Sequence, residues 1–496
     1  MDATAPPPVP VRAGTVRPLF DAAATRDLER AGLAATPAHA LMQRAGLATA
    51  RLAMALHPHA GTIWVAAGPG NNGGDGMEAA LHLHGAGKQV VVSWLGNRAA
   101  APPDAAAAFD RARSAGVAFA DTPPGQWDLC IDALLGIGAS RAPEGAMAQW
   151  IELIGCQGAA PVLSIDMPTG LHADTGVAAT PHVRADATLC LLTLKPGLFT
   201  CDGRDVSREV WFDALQLDAA TLLPTLAPTA MLIGSPPERA RAHASHKGSF
   251  GDVAIVGGAP GMAGAAMLAA SAALHSGAGR VFLCALDAEA PHLSCSAAAP
   301  ELMRRDVDAI DAARMTIVAG CGGGDKIGPL LPRLLSQAAR LVLDADALNA
   351  VAMDKDLQQL LRARAQRQAP TVLTPHPLEA ARLMGTSAAL IQSDRLRAAC
   401  QLASDWQCTV VLKGSGSIVA APGHTAAVNP TGNARLAIPG SGDVLSGMVG
   451  AALAAGTSAF DAACQAVYRH AIAADHWPVH DALTASLLAQ RAGRAW

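Results

Sequence analysis

A glycine- and asparagine-rich loop near residue 70 follows a predicted strand. The segment GPGNNGGDGM (residues 68–77) comes directly after the apolar run TIWVAA, which begins at Thr62. Glycine lets the backbone adopt positive φ angles and approach a ligand closely, while Asn71, Asn72 and Asp75 supply amide and carboxylate groups. An ordinary Asn/Gly turn is the simpler interpretation, but this density of Gly, Asn and Asp favours a binding loop.

Two further acidic residues stand where predicted strands of the same region end. Asp132 lies in CIDALLGIGAS and Asp166 lies in SIDMPTGL. Each of them alone would more often be a turn residue than a catalyst. Together with the Asn/Gly loop they predict a site in the crevice where open α/β sheets bind ligands. The side chains of Asn72, Asp132 and Thr169 can offer oxygen ligands to a monovalent or divalent cation.

A second set of chemistry-bearing residues lies in the C-terminal half, in NPTGNARLAIPGSGDVLSGMVGAALA. The backbone N–H groups of Gly440, Ser441 and Gly442 precede an Ala-rich helix, which predicts an anion hole for phosphate. Asp443 stands where a base can take a proton from a substrate hydroxyl. A bare GxGD string is a weak signal, because most such strings are helix N-caps.

Three other segments strengthen this second site. VLKGSGSIV predicts a strand, a turn and a second strand that cradle the phosphates and ribose of a nucleotide. LTPHPLEAARL puts His376 and Glu379 at a strand-to-helix junction, and LVLDADALN presents Asp344, Asp346 and Asn349 at another strand end. His376 alone would more often be a helix-entry residue, but in this company ligand contact is favoured.

The elements that position these residues alternate between strand-like and helix-like patterns in both halves of the chain. This alternation predicts mostly parallel, doubly wound α/β sheets. Between the halves, a Pro-rich stretch loses periodicity. We therefore expect a flexible lead-in at residues 1–20, a Rossmann-like first domain at 21–216, a linker at 217–238 and a second α/β domain at 239–496.

The composition fits a globular protein with two cores. The 496 residues are 51% hydrophobic with a formal net charge of −4, which offers no general attraction to nucleic acid. The ten cysteines lack Cys-x-x-Cys spacing, so we expect reduced thiols rather than a zinc site. The N-terminus has no secretory pattern, and the most apolar stretch, from Met262, is rich in Ala and Gly. We expect no membrane span and a cytoplasmic location.

The strings GPGNNGGDG, DALLGIG, SIDMPTGL and TLKPGL, in that order, resemble the NAD(P)H-hydrate epimerase family over roughly residues 20–215. The resemblance implies a potassium ion held by Asn72, Asp132 and Thr169. It also implies that three loops bind the hydrated cofactor, NADHX or NADPHX. The implied substrate-binding residues are Asn71, Asn72, Gly73, Gly74, Asp75, Gly136, Ile137, Gly138, Ala139, Ser140, Arg141, Ala142 and Asp166.

Epimerisation inverts the hydroxyl-bearing carbon 6 of the damaged ring, so a bond there must break and re-form while an acid and a base move protons. Asp166 and Lys195 are the candidates for these roles. For Lys195, a solvated position before a proline is an equally good interpretation. Met77-Glu78 depart from the small apolar residues that are usual in the family, and we expect this to alter helix packing rather than chemistry.

The strings of the second half, with HKGSFGDVAIVGGAPGMAGAAMLAASAALHSGAG, resemble the ADP- or ATP-dependent NAD(P)H-hydrate dehydratases over roughly residues 230–490. That family has a ribokinase-like α/β fold. The resemblance implies magnesium, with ADP as co-substrate. The implied substrate-binding residues are Ala265, Gly322, His376 and Asp443, and the implied nucleotide-binding residues are Lys413, Gly414, Ser415, Gly416, Ser417 and Gly442.

The expected chemistry of the second site is kinase-like. Because hydroxide leaves poorly, phosphorylation of the hydroxyl followed by loss of phosphate would restore the double bond, with Asp443 as the base. Two segments depart from the family pattern. GCGGG at Gly320 replaces Gly-Pro-Gly-x-Gly, and Arg435, Leu436 and Pro439 interrupt a Gly/Met-rich run; we expect both to be tolerated.

Together, the resemblances imply a bifunctional enzyme of nicotinamide nucleotide repair. The first domain would epimerise R and S hydrates, and the second would dehydrate the S form while converting ADP to AMP and phosphate. A small-molecule kinase is the alternative for the second domain, and a binding module without turnover for the first. The fusion favours repair, since an epimerase supplies the one stereoisomer that a dehydratase accepts. We expect a homo-oligomer whose partners are NADHX, NADPHX and ADP, with no nucleic acid and no membrane.

Overall fold

The computed structural model describes residues 6–138, 141–156, 160–237, 242–287 and 299–494. Contacts between residues divide the chain into two compact units. The first contains Met1–Arg12 and Pro18–Ala230, and the second contains Ala13–Arg17 and Met231–Trp496. Each unit is an α/β structure with a largely parallel sheet, which confirms the predicted fold class.

The strands follow the apolar runs of the sequence. In chain order they are β1 (Val9–Pro10), β2 (Arg17–Leu19), β3 (Thr62–Ala67), β4 (Gln89–Trp94), β5 (Ala118–Ala120), β6 (Leu129–Ala133), β7 (Val162–Ile165), β8 (Ala187–Leu191), β9 (Glu209–Asp213), β10 (Ala230–Leu232), β11 (Asp252–Gly257), β12 (Arg280–Ala285), β13 (Met303–Arg304), β14 (Thr316–Ala319), β15 (Arg340–Leu343), β16 (Thr371–Leu373), β17 (Thr409–Leu412), β18 (Ile418–Ala420) and β19 (Ala426–Val428).

The helices are mostly Ala- and Leu-rich. In chain order they are α1 (Ala22–Ala35), α2 (Ala40–Leu56), α3 (Asn71–Gly85), α4 (Pro103–Ser114), α5 (Gly145–Cys156), α6 (Gly203–Ser207), α7 (Ala219–Leu222), α8 (Ala263–His275), α9 (Leu331–Gln337), α10 (Ala345–Met353), α11 (Lys355–Gln366), α12 (Pro377–Met384), α13 (Ala388–Ser393), α14 (Arg395–Trp406), α15 (Ser441–Ala454), α16 (Ala459–Asp475) and α17 (Ala485–Arg491). Within the described residues, no helix combines the length and apolar character needed to cross a membrane.

The first sheet has the strand order β1-β9-β8-β7-β6-β3-β4-β5. Its neighbouring strands are parallel except at one edge, where β1 pairs antiparallel with β9. The chain winds outward from β3 through β4 and β5 and then returns to β6 on the other side of β3. The switch point therefore lies between β3 and β6, and the residues that follow these two strands are placed to bind a ligand.

The second sheet has the order β13-β12-β11-β14-β15-β16-β17-β18-β19-β10-β2. Strands from β13 to β17 are parallel, and β18 is antiparallel to both β17 and β19. Here the winding direction changes between β11 and β14. The loops after these two strands form the corresponding crevice of the second unit.

Glycines allow close helix packing beside both crevices. A Cβ on Gly76 of α3 would lie 2.5 Å from the Cβ of Ala133 in β6. A Cβ on Gly447 of α15 would overlap the carbonyl group of Ala269 in α8. Larger side chains at Gly76 and Gly447 would therefore push α3 and α15 away from their neighbours, and with them the residues at the helix N-termini.

The Met77-Glu78 departure is explained by packing. Met77 is fully buried in the core of the first unit, and Glu78 is buried with its carboxylate paired to Arg111 of α4, whose Nε lies 2.6 Å from Glu78 Oε1. Burial raises the pKa of Glu78, while the Arg111 guanidinium acts in the opposite direction. A buried ion pair thus joins α3 to α4.

The structure differs from the prediction at the domain boundaries. Within the lead-in predicted at residues 1–20, Val9–Pro10 pairs with β9 and Arg17–Leu19 forms β2. The linker predicted at 217–238 contains α7, and β10 within it joins the second sheet. Backbone hydrogen bonding to existing sheets orders these Pro-rich stretches, and local composition does not reveal such pairing.

Candidate active sites

The loop after β3 is shaped by glycines that admit no side chain. A Cβ on Gly68 would overlap the carbonyl oxygen of Leu134, and one on Gly73 would overlap the carbonyl oxygen of Gly68. Helix α3 begins at Asn71, which is exposed, whereas Asn72 turns inward. In the described part of the chain, the buried Nδ2 of Asn72 finds no hydrogen-bond partner.

Asp132 ends β6 as a fully buried carboxylate. Its Oδ1 accepts a hydrogen bond from Thr169 Oγ1 at 2.6 Å, and its Oδ2 accepts from Ser164 Oγ at 2.8 Å and Thr169 N at 2.9 Å. Burial raises the pKa of Asp132, and the bonds from Thr169 and Ser164 act in the opposite direction. The predicted ion ligands Asp132 and Thr169 are thus in direct contact.

Asp166, just past β7, is paired with Lys195. The Lys195 side chain is fully buried, and its ammonium group donates to Asp166 Oδ1 and, at 2.7 Å, to the carbonyl oxygen of Leu191. Burial alone would lower the pKa of Lys195, but the charge and hydrogen bond of Asp166, together with those of Cys190, raise this pKa. The interpretation of Lys195 as a solvated residue is therefore wrong. Asp166 itself has a φ of 65°, an uncommon conformation for a residue other than glycine.

Gly136 joins these parts into one site. A Cβ placed there would lie 3.1 Å from Asp166 Oδ2 and 3.4 Å from Asn72 Oδ1, so both side chains flank the same small residue. The backbone N–H of Ile137 donates to Asp166 Oδ2 at 3.3 Å. The loops after β3, β6 and β7 thus converge, as predicted from their positions after parallel strands.

A cavity of about 400 Å³ opens between these loops. The predicted substrate-binding residues that line it are Asn71, Asn72, Asp75, Gly136, Ile137, Gly138 and Asp166, and Lys195 lines it too. Gly73 and Gly74 are instead buried within α3. Arg141 and Ala142 are not among the lining residues, and Ala139 and Ser140 lie outside the described residues.

Helix α1 contributes a face of the cavity that the motifs do not contain. Thr25, Arg26, Glu29 and Leu33 line it, and Asp104 of α4 lies nearby on the same lining. The spacing of Thr25, Glu29 and Leu33 at intervals of four is the signal that could have revealed them, since such residues share one helix face.

In the second unit, the crevice between β11 and β14 brings together two predicted substrate-binding residues. Gly322 follows β14 with a φ of 58°, and a Cβ there would lie 2.9 Å from the Cβ of Ala265 in α8. The Gly322 carbonyl oxygen accepts the backbone N–H of Ala259 at 2.7 Å. Any side chain at position 322 would therefore collide with Met262 and Ala265.

The phosphate-binding features also converge. Helix α15 starts at Ser441 after Gly440, whose φ is 87°. The Lys413 ammonium lies 3.2 Å from the position a Cβ on Gly442 would take, and it donates to Asp344 Oδ1 at 2.7 Å. A positive side chain therefore stands beside a helix N-terminus, an arrangement suited to phosphate.

Asp443, in the first turn of α15, is the candidate base. Burial raises its pKa to about 6 and the Asp344 charge adds to this, while the Cys321 thiol and the Lys413 ammonium act in the opposite direction. The ligand atoms of Cys321, Asp344 and Asp443 all lie within 4.8 Å of one another. The Cys321 thiol, which belongs to the GCGGG departure, therefore lies beside both carboxylates.

His376 has a structural role that is compatible with ligand contact. It is the N-cap of α12: its Nδ1 accepts the backbone N–H of Leu378 at 3.1 Å, and its own N–H donates to Glu379 Oε2 at 2.8 Å. The helix-entry role is therefore present, and ligand contact stays a prediction for a side chain that is 45% exposed.

The predicted nucleotide turn, Lys413–Ser417, joins β17 to β18. Behind it lies a charged residue that the motifs do not contain: Arg395 is almost fully buried and donates to the carbonyl oxygens of Leu412 and Lys413 at 3.3 and 3.2 Å.

Among the residues that depart from the expected pattern, Arg435 donates to the carbonyl oxygens of residues 477–479, so it anchors the loop before α17. The structure gives no specific reason for Pro439.

Two α/β units, each with acid–base groups gathered at its own switch point, define an enzyme with two separate active sites. The family model described as YjeF-related protein N-terminus matches residues 38–197, and the one described as NAD(P)H-hydrate dehydratase matches residues 253–495. The bifunctional NAD(P)H-hydrate repair enzyme Nnr of Escherichia coli (strain K12) is 35% identical over 451 residues, covering 88% of this chain and 84% of that protein.

Other proteins are similar to most of this chain or to its second half. The enzyme of the same name from Coxiella burnetii is 34% identical and covers 91% of this chain and 93% of its own. The ADP-dependent (S)-NAD(P)H-hydrate dehydratase of Neisseria meningitidis is 42% identical over 51% of this chain and 85% of its own. A solved Bacillus subtilis ADP/ATP-dependent NAD(P)H-hydrate dehydratase, co-crystallized with ATP/Mg2+, is 29% identical, covers 52% of this chain and 92% of that chain, and has a TM-score of 0.44. The chain belongs to the family of bifunctional NAD(P)H-hydrate repair enzymes, which confirms the resemblance found in its motifs.

Proposed function

We propose that the first unit interconverts the R and S forms of hydrated NADH and NADPH, and that the second unit dehydrates the S form with ADP. The observation that carries the proposal is the convergence of Lys413, Asp443 and the N-terminus of α15, which combines a phosphate site with a base. The pair of Asp166 and Lys195 in the first cavity supports the other half.

In the first site, the hydroxyl of carbon 6 leaves as water after it receives a proton, and carbon 6 becomes planar with a double bond to the ring nitrogen. Water then adds to the opposite face and gives a proton to a base. Asp166 serves as this base. Lys195 holds Asp166 Oδ1, and Ile137 N and Gly136 border Oδ2, so the carboxylate stays aimed at the cavity.

The first site also fits a potassium ion. The candidate ligands Asn72, Asp132 and Thr169 each carry a side-chain oxygen atom, which hard cations prefer, and the fully buried Asp132 carboxylate would gain from a bound positive charge. When bound, potassium supplies positive charge and fixes the loops after β3 and β6.

In the second site, Asp443 takes the proton of the carbon 6 hydroxyl, whose oxygen then attacks the terminal phosphorus of ADP while AMP leaves. Loss of a proton from carbon 5 and departure of phosphate from carbon 6 restore the double bond. Lys413 and the N–H groups of Ser441 and Gly442 stabilise the moving phosphate. Magnesium would neutralise phosphate charge when bound; the Asp344 carboxylate suits it, whereas the Cys321 thiol does not.

The proposal is tested by incubating the purified protein with a mixture of both hydrate epimers, magnesium and either ADP or ATP. We expect the near-ultraviolet absorbance of reduced nicotinamide to return for both epimers, with AMP and phosphate as products when ADP is used. If the absorbance returns with neither nucleotide, the proposed dehydratase function is wrong. The preference for ADP, the homo-oligomeric state and the cytoplasmic location stay predictions.

A further inference from the structure

Helix α1 is fixed against the first cavity by two contacts. Thr25 Oγ1 lies 2.6 Å from Thr193 Oγ1 in a buried hydrogen bond, and Arg26 Nη2 donates to the carbonyl oxygen of Ile137 at 3.3 Å. Glu29 lies one turn after Thr25 on the same face and lines the cavity. The Glu29 carboxyl group thus shares the cavity with Asp166 but comes from a different element.

The reaction proposed for this site needs two acid–base groups, because one hydroxyl leaves as the other enters from the opposite face. Lys195 is held by Asp166, and Asp104 is bonded to His39, whose Nδ1 lies 2.5 Å from Asp104 Oδ1. Glu29 and Asp75 are the remaining carboxyl groups that line the cavity within the described part of the chain.

The surroundings distinguish Asp75 from Glu29. Burial raises the pKa of Asp75 well above its ordinary value, and the negative charges of Asp166, Glu29, Glu78 and Asp104 raise it further. These surroundings therefore favour the neutral form of Asp75. Burial and Asp166 also raise the pKa of Glu29, but Lys195 and Arg26 oppose this. Glu29 also lines the cavity from a helix that Thr25 fixes in place, so its position and its opposing neighbours suit a group that gives and takes a proton.

We propose that Glu29 is the second acid–base residue of the first site and works with Asp166 on opposite faces of the substrate ring. In one direction, Glu29 gives its proton to the carbon 6 hydroxyl, the carbon–oxygen bond breaks, and water departs. Asp166 then takes a proton from the water that adds to carbon 6. In the reverse direction the two residues exchange roles. The proposal rests on the epimerase function proposed above.

The test follows interconversion of pure R and S hydrates by chromatography in the absence of ADP, so that the dehydratase is silent. We expect Glu29→Gln in the full chain to lower kcat by about 100-fold or more, with spontaneous inversion subtracted. Dehydration of the S form with ADP should be unchanged. Glu29→Asp, which keeps a carboxyl group, should retain part of the activity. Asp27→Asn is the matched control, since Asp27 is exposed on the same helix and paired with Arg30.

A pH profile separates catalysis from a structural role. Two acid–base groups give a bell-shaped dependence of kcat/KM on pH, and Glu29→Gln should remove one of its two limbs while Asp27→Asn keeps both. The charged groups that face Glu29 are unchanged in these variants; they are Arg26, Asp75, Asp104, Asp166 and Lys195. A wild-type rate, or two intact limbs, in Glu29→Gln would overturn the role of Glu29. Failure of the wild type to interconvert the epimers would overturn the epimerase function and this role with it.

Discussion

The two units hold their catalytic carboxylates in opposite ways. In the first, the buried Lys195 ammonium pairs directly with Asp166. In the second, Lys413 pairs with Asp344 instead, and Asp443 has a pKa of about 6 because of burial and the Asp344 charge. The lysine of the first site therefore pairs with the proposed base itself, whereas the lysine of the second site pairs with the neighbour of the proposed base.

The largest effect is expected from removing the free base. Asp443→Asn should lower the dehydratase kcat by about 10²–10⁴-fold, because the amide cannot accept the hydroxyl proton. Epimerisation, measured by chromatography, should keep its wild-type rate. A dehydratase rate near that of the wild type would show that Asp443 is not the base.

A stability effect should follow from breaking the ion pair of the first unit. Lys195→Met leaves Asp166 without its buried partner, so the free energy of unfolding should fall by about 3–5 kcal/mol. The double variant Lys195→Met/Asp166→Asn removes both charges and should recover much of this loss. Urea unfolding, followed through the transition of the first unit, measures the free energy of unfolding of the single and the double variant. Equal losses in the single and the double variant would contradict the pairing.

The smallest effect concerns the pH dependence of the second site. The wild-type dehydratase rate should rise as pH increases through about 6, because Asp443 accepts a proton only when ionised. Cys321→Ala removes a hydrogen bond that lowers the pKa of Asp443, so this limb should move to higher pH. Asp346→Asn removes a charge that raises this pKa, so the limb should move to lower pH. Each shift should be up to about one pH unit.

Asp308 provides the control for the pH shifts of Cys321→Ala and Asp346→Asn. It is exposed, pairs with Arg333 and lies far along the chain from Asp443. Asp308→Asn changes the net charge of the protein by the same amount as Asp346→Asn. It should leave the pH limb where it is. If Cys321→Ala and Asp346→Asn moved the limb in the same direction, the assignment of this limb to Asp443 would be wrong.

The residues that follow parallel strands were predictable from the sequence. Asn72, Asp132 and Asp166 lie at or just after the ends of β3, β6 and β7. These strands are parallel neighbours in the sheet, so their carboxyl ends meet at one edge and bring the three residues together. The same holds for Gly322 in the second unit, which follows β14, whereas Asp443 was indicated by the glycine-rich turn before α15. Apolar runs and glycine-rich loops are local signals, and they indicated both the sheets and the crevices.

Partners that depend on tertiary packing were not predictable. Lys195 precedes a proline at a strand end, a pattern that fits a solvated residue equally well, and only the fold buries it against Asp166. Glu29 belongs to a helix with no motif, and its place in the cavity depends on the docking of α1 through Thr25 and Arg26. The strand at Val9–Pro10 likewise forms because β9 offers a free edge.

The most direct test of two sites acting on one substrate is complementation with the pure R hydrate. The protein is supplied as Asp166→Asn, as Asp443→Asn, or as an equimolar mixture of the two, each with ADP and magnesium. We predict that neither variant alone restores the absorbance of reduced nicotinamide above the spontaneous rate, whereas the mixture restores it fully. Conversion of the R hydrate by Asp166→Asn alone at the wild-type rate would contradict the account.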